Sequence, residues 1–231
     1  MPIHSLAWYF FSLSRVPLGV LSVAAAMGLA RFARLTPALR YLTLLACFDV
    51  LAEVSGFLVG HLLQSKSNLF LFPIVIVGEA GFLLLLYNQV LQSAAFQRAA
   101  RWIFGLLVAY ALMNSLLVIG TIRFWPSLQV LGNLLSLSLA GLYFRKLLNE
   151  LLVVHLEREP LFWLSVGLII SSLGDLFISL FSNYLLANYS SQFNLMVWNI
   201  HAWLTGLLYA SYCLALWPRP AKQPLGTPAV A

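Results

Sequence analysis

Four carboxylates and one histidine stand inside long apolar runs of this sequence: Asp49, Glu53, Glu79, Asp175 and His201. Groups of these types can take up and release protons, or hold a polar or charged ligand. A carboxylate in hydrocarbon costs at least ~2.5–3.5 kcal/mol on insertion scales, so each must be matched by something. Asp175 shows how. On a helix it shares a stripe with Ser171, Ser179 and Ser182, and such a stripe needs protein or water opposite rather than lipid. Gln129, Asn133 and Ser136 form a comparable stripe on another segment, a natural neighbour for the first. Asp49 and Glu53 lie four positions apart on one helical face, followed by Gly56 and Gly60, where small residues let helices approach closely. Asn199 and His201 point about 200° apart on a helix, so they cannot both face one cavity.

Plain structural roles compete with these. Ser and Asn inside spans often make interhelical hydrogen bonds of ~0.6 kcal/mol and nothing more. Glu53 with Arg15 reads equally well as a structural ion pair. Arg15 and His201 are the only deep bases, so the four carboxylates cannot all be ionised cheaply. At least one is expected to be neutral at pH 7, and Asp175 is expected to lean on a hydroxyl donor such as Ser171 or Ser179, or on His201.

Several chemistries are missing. No lysine lies at depth for a retinal Schiff base. There is no His-x-x-x-His for a zinc hydrolase, no Gly-x-Ser-x-Gly, no Walker loop and no Gly-x-Gly-x-x-Gly. His4, His61 and His155 read as solvated. Cys47 and Cys213 lie in apolar runs without metal-type spacing, as small hydrophobes do. No catalytic residue, metal site or cofactor is assigned, and a non-catalytic role is expected. The net charge of +6 is not clustered in any stretch that would suit nucleic acid.

The elements that must position these groups follow from composition. Of 231 residues 61% are hydrophobic and 9% charged, against about 25% charged in a soluble domain. Mean hydropathy is +0.91. With ~20 apolar residues needed per crossing, the chain divides into seven expected spans at 6–30, 38–64, 69–96, 100–121, 125–151, 160–187 and 193–217. The fold class is therefore all-α: a polytopic bundle of seven transmembrane helices over 1–217, with a disordered tail over 218–231. Pro73, Pro126 and Pro160 mark early turns of spans three, five and six. "MPIHSLAWYFFSLSR" has no basic region ahead of its apolar stretch, so the first span is expected to be retained.

Ten basic residues (Arg31, Arg34, Arg40, Arg98, Arg101, Arg145, Lys146, Arg158, Arg219 and Lys222) fall on one side of these spans, against Lys66 and Arg123 on the other. That asymmetry predicts an outside N-terminus and a cytoplasmic C-terminus in the plasma (inner) membrane. Trp8, Tyr9, Trp125, Tyr184, Tyr189 and Trp198 would form the outer aromatic belt, and Trp102, Trp163 and Trp217 the inner one. Tracked at ~1.5 Å per residue, Glu53, Glu79 and Asp175 fall near mid-depth. Asn133, Asn114, Asn199, His201 and Arg15 lie further out, and Asp49 slightly toward the cytoplasm. The polar groups thus share the outer half, and a pocket among spans two, three, five, six and seven is expected there. The candidate ligand-binding or proton-titrating residues are Asp175, His201, Glu79, Glu53, Asp49, Asn133, Asn199 and Arg15.

"EAGFLLLLY" (Glu79 to Tyr87) aligns with "HAWLTGLLY" (His201 to Tyr209), and the spans before each hold a mid-membrane acid. This echo suggests a three-plus-one-plus-three arrangement of parallel repeats. The stretches "EPLFWLSVGLIISSLGDLFISLFSNYL" and "WNIHAWLTGLLYASYCLALW", about a third of the chain, resemble the last two helices of uncharacterised bacterial seven-helix membrane proteins. Those occur beside, or as the sensor part of, histidine kinase systems. The resemblance implies a receptor-like sensor that binds a small molecule or lipid and signals through a partner such as a histidine kinase. "LGD" at Leu173 to Asp175 also resembles the mid-membrane acids of lysoplasmalogenase-like hydrolases, whose eight spans and second acidic motif have no counterpart here. A proton-coupled transporter titrating Glu53, Glu79 and Asp175 is the first alternative, and an intramembrane hydrolase the second.

Overall fold

The computed structural model describes residues 15–62, 71–118, 127–150, 156, 159–188 and 191–217. Among them are seven α-helices: α1 (Arg15–Ala30), α2 (Pro37–Leu62), α3 (Leu71–Leu91), α4 (Ala94–Val118), α5 (Ser127–Glu150), α6 (Pro160–Asn188) and α7 (Ser191–Leu216). A 3-10 turn, Phe32–Arg34, joins α1 to α2. Pro37 and Pro160 each open a helix, where a missing N–H costs nothing. Arg40 braces the first connection by donating to the carbonyls of Leu35 and Ala33, with its guanidinium over the Phe32 ring.

One boundary differs from expectation. The third span was expected to run to 96 and the fourth to start at 100, but α3 ends at Leu91 and α4 begins at Ala94. Gln92 turns the chain in the left-handed region at φ 47°, with its N–H on the Asn88 carbonyl, a common helix ending. Ser93 then caps α4, its Oγ accepting from the Phe96 N–H at 3.5 Å. Arg98, expected between the two spans, therefore lies within α4.

Six helices close a ring in the order α1, α2, α3, α5, α6, α7 and back to α1, while α4 packs outside against α3. The ring reads the same after half a turn. The α1–α2 contact has its counterpart in α5–α6, α2–α3 in α6–α7, and α3–α5 in α7–α1. Sequence register agrees at one offset of 122 positions: Leu42 and Leu164, Thr43 and Ser165, Ala46 and Leu168, and Tyr87 and Tyr209 are all buried. Even the helix ends correspond. Lys146 of α5 donates to the Val90 carbonyl near the end of α3 at 2.7 Å, and Arg31, just past α1, to the Leu216 carbonyl ending α7 at 3.4 Å. Cations suit those C-termini.

The two ends of the ring differ. Toward the connections bearing Arg31, Arg34 and Arg40, a dry core fills it, built on Leu21, Leu42, Leu45, Leu86, Tyr87, Leu139, Leu164 and Leu216. A smaller cluster of Ile76, Ala80, Leu107, Ala111 and Leu128 seats α4, and the Tyr110 hydroxyl donates to Ser127 Oγ at 2.7 Å. The outward face is apolar: Leu51, Leu106, Phe177, Met196 and Trp203 are all more than 60% exposed. Pro37–Val59, Leu71–Leu91, Ser127–Asn149 and Pro160–Phe181 are long and apolar enough to cross a membrane. A water-facing surface does not carry apolar side chains so densely; this is the surface of a membrane protein.

Helices approach closely at glycines in three pairs, α1–α2 at Gly28, α2–α3 at Gly78 and α6–α7 at Gly167 and Gly174. A carbon added at Gly167 would overlap the Ser211 side chain, which is held by its own bond to the Leu208 carbonyl. Gly167→Leu is expected to cost about 1–3 kcal/mol. Gly141→Leu, with nothing within 4 Å of the added carbon, should stay within about 0.5 kcal/mol of wild type. Thermal unfolding of the purified protein measures both; equal losses would mean that α6 and α7 are not this close. The tail over 218–231, the Lys66 and Arg123 connections, His4, His155, Arg158, the side chain of His61 and the aromatic residues Trp8, Tyr9, Trp125 and Tyr189 lie outside the described residues. So do the side chains of Tyr184 and Trp198.

Candidate functional site

Above the dry core the ring opens into a polar cavity of about 270 Å3. Five helices wall it. From α2 come Asp49 and Glu53, from α3 Phe72, Ile76, Glu79 and Leu83, and from α5 Gln129, Asn133 and Ser136. From α6 come Leu168, Ser171, Ser172 and Asp175, and from α7 His201, Thr205, Leu208, Tyr209 and Tyr212. Helical period explains the convergence. Asp49 and Glu53 are one turn apart, as are Gln129 and Asn133, Ser171 and Asp175, and His201 and Thr205, so each pair presents one face to the void.

The central contact joins α6 and α7. His201 Nδ1, when protonated, donates to Asp175 Oδ1 at 2.7 Å, with the carboxylate side chain 14% exposed and the imidazole 37%. Asp175 thus has its partner on the next helix. Ser171, expected as a donor to it, instead gives its hydroxyl to the Gly167 carbonyl at 2.8 Å. A serine inside a helix takes this local bond readily.

Two groups on the wall are left over. Asp49 is 3% exposed and its Oδ1 has no protein partner; Asn133 is 6% exposed and its Nδ2 has none. Gln129 Nε2 reaches Asn133 Oδ1 at 3.5 Å, which fixes the amide with its NH2 spare. Buried polar groups are otherwise almost always paired, and each orphan costs about 1–3 kcal/mol. One orphan is an acceptor and the other a donor. Glu79 lies within electrostatic reach of Glu53 and Asp175, and Asp49 within reach of Glu53 and Glu79.

Six of the eight candidate residues read from the sequence therefore border one void: Asp175, His201, Glu79, Glu53, Asp49 and Asn133. Glu53 is the most exposed of the carboxylates there. Asn199, about 200° around α7 from His201, is half-buried and not part of the wall. The Arg15 side chain lies outside the described residues, so its pairing with Glu53 has no structural account. Ser172, Thr205, Tyr209 and Tyr212 were not singled out as site residues. His201, Thr205, Leu208 and Tyr212 recur at helical spacing, a signal that could have found two of them, Thr205 and Tyr212.

At the floor of the site the Tyr87 hydroxyl and Ser165 Oγ share a buried hydrogen bond of 2.8 Å between α3 and α6. Tyr87→Phe leaves Ser165 unpaired and is expected to cost about 1–2 kcal/mol, read as a lower Tm, with ligand binding unchanged. An unchanged Tm would mean that this bond contributes nothing net.

Among the described residues no group of three or more acid, histidine or cysteine side chains could hold a metal ion. No family model, no curated protein and no solved structure matches this chain.

Proposed function

We propose that this chain is a seven-span protein of the bacterial inner membrane, N-terminus outside and C-terminus cytoplasmic, that binds a small molecule in the cavity. In this reading it is receptor-like and hands the binding event to a partner. The observation that carries it is the pair of buried orphans, Asp49 Oδ1 and Asn133 Nδ2, on the wall of a void. A ligand with one donor and one acceptor satisfies both. Ten basic residues against two favour the sidedness, which puts the cavity in the outer half. The signalling partner, such as a histidine kinase, rests on the resemblance of α6 and α7.

The test is mass spectrometry of small molecules that co-purify with the full chain in nanodiscs, for wild type and Asn133→Leu. A species carried by the wild type and lost from the variant supports the reading; identical spectra from the two sink it. Sidedness is checked by cysteine labelling of intact cells. Lys66→Cys is expected to react with an impermeant reagent, and Lys222→Cys only after permeabilisation. Labelling of Lys222→Cys from outside would reverse the orientation.

A second reading, a proton-coupled carrier, is favoured by the ring of two alike halves around a central polar site. Repeats of this kind suit rocking about a fixed site. Uptake of the co-purified molecule into proteoliposomes, driven by an imposed proton gradient, separates a carrier from a receptor.

A further inference from the structure

The half-turn relation of the ring assigns a counterpart to each group in the cavity. At the offset of 122 positions Asp175 corresponds to Glu53, and His201 to Glu79. The two halves therefore carry the same pair with different chemistry. In the second, an acid meets an imidazole that can be cationic, at 2.7 Å. In the first, an acid stands opposite a second acid, and among the residues that wall the void no Lys or Arg is present. Among the described residues His201 is the only base on the wall, and it is engaged with Asp175. Among the described residues the first half has no counterpart to that imidazole within its own pair, although His201 also acts electrostatically on Glu53 and Glu79. Asp49, beside that half, adds a third carboxylate whose buried Oδ1 has no protein partner.

We propose that the cavity binds a small organic ammonium ion that also carries a hydrogen-bond acceptor. The ammonium sits between Glu53 and Glu79, with one N–H donated to Asp49, and the acceptor takes the spare N–H of Asn133. This deepens the small-molecule reading above and rests on it.

Three further observations fit this chemistry. Polyatomic cations are favoured over a metal ion, because the acids do not converge at ligating spacing. Tyr209 and Tyr212 supply aromatic wall, and aromatic faces attract ammonium groups. The volume of about 270 Å3 falls below the ~300–1,000 Å3 typical of drug-sized ligands, so the molecule is small. Desolvating a lone cation is expensive, and opposed carboxylates are what offset it.

The experiment uses the full chain in nanodiscs at near-neutral pH and three probes of one size: ethanolamine, ethylene glycol and glycolate. They differ only in presenting an ammonium, a neutral hydroxyl or a carboxylate. Ethanolamine is expected to raise Tm and give a calorimetric binding isotherm, with the other two inert. Glu53→Gln and Glu79→His should each weaken ethanolamine by at least about tenfold, ~1.4 kcal/mol. Glu79→His gives the first half the pair already present in the second; should it not fold, Glu53→Gln, equal in shape, decides. Ethylene glycol binding as tightly as ethanolamine would overturn the ammonium while leaving a small-molecule pocket in place. Ethanolamine binding that ignores both variants, or no ethanolamine binding at all, also overturns the proposal. In either case a molecule that co-purifies in an Asn133-dependent way would still uphold the broader reading.

Discussion

Asp175→Leu is expected to abolish ligand binding and to lower Tm, while Asp175→Asn keeps most of the stability and loses binding. The carboxylate is the partner of His201 at 2.7 Å and is 14% exposed. Leucine removes the acceptor and leaves Nδ1 of a half-buried imidazole facing an apolar side chain. Removing one partner of a charge-assisted bond costs about 1–3 kcal/mol, or roughly 2–10 °C in a chain of this size. The 37% exposure of the imidazole puts the loss toward the lower end, because water can take up part of the bond. Asparagine retains an oxygen that accepts from Nδ1–H and has nearly the shape of aspartate, so α6 and α7 stay joined. What it lacks is the negative charge, which any cationic form of His201 or of a ligand would feel. Differential scanning fluorimetry and calorimetric titration of both variants give the two readouts separately. Should both match wild type in Tm and in binding, Asp175 is a passive residue and the site is elsewhere.

Much of this site was legible because polar residues in an apolar chain are few and their depth follows from simple counting along a helix. Glu53, Glu79 and Asp175 share a depth in the sequence, with Asn133 a little further out, and all four border one cavity in the structure. The helix starts at Pro37 and Pro160 were equally readable. The break between α3 and α4 was not, since Gln92 is neither glycine nor asparagine, the residues that usually mark a left-handed ending. The ring order was also hidden. Helices that are apolar all round give no stripe to say which side faces protein and which faces lipid. The three-plus-one-plus-three echo sets the fourth span apart, but nothing in the α4 sequence itself shows that it packs outside the ring against α3. The partner of Asp175 could not be chosen either, because Ser171, Ser179 and His201 were all within reach by spacing, and only packing shows Ser171 turned back to Gly167.

The same half-turn relation makes a prediction of opposite sign at Asp49. Its counterpart at the offset of 122 is Ser171, equally buried and with its hydroxyl on the carbonyl of Gly167, four residues back. The residue four back from Asp49 is Leu45, the counterpart of Gly167, so a serine at 49 can make the same local bond. The second half thus shows how the position is filled when no orphan is kept. Asp49→Ser is expected to raise Tm, by removing a buried carboxylate whose Oδ1 lacks a protein partner. The gain should be about 1–3 kcal/mol, set against a small loss from the volume given up beside an existing void. Binding of ethanolamine should fall by at least about tenfold, ~1.4 kcal/mol. A stabilised variant that no longer binds is the signature of a residue retained for its ligand at the expense of the fold. If Asp49→Ser lowers Tm instead, Asp49 holds the helices together, and the orphan that carries the binding site is a structural group.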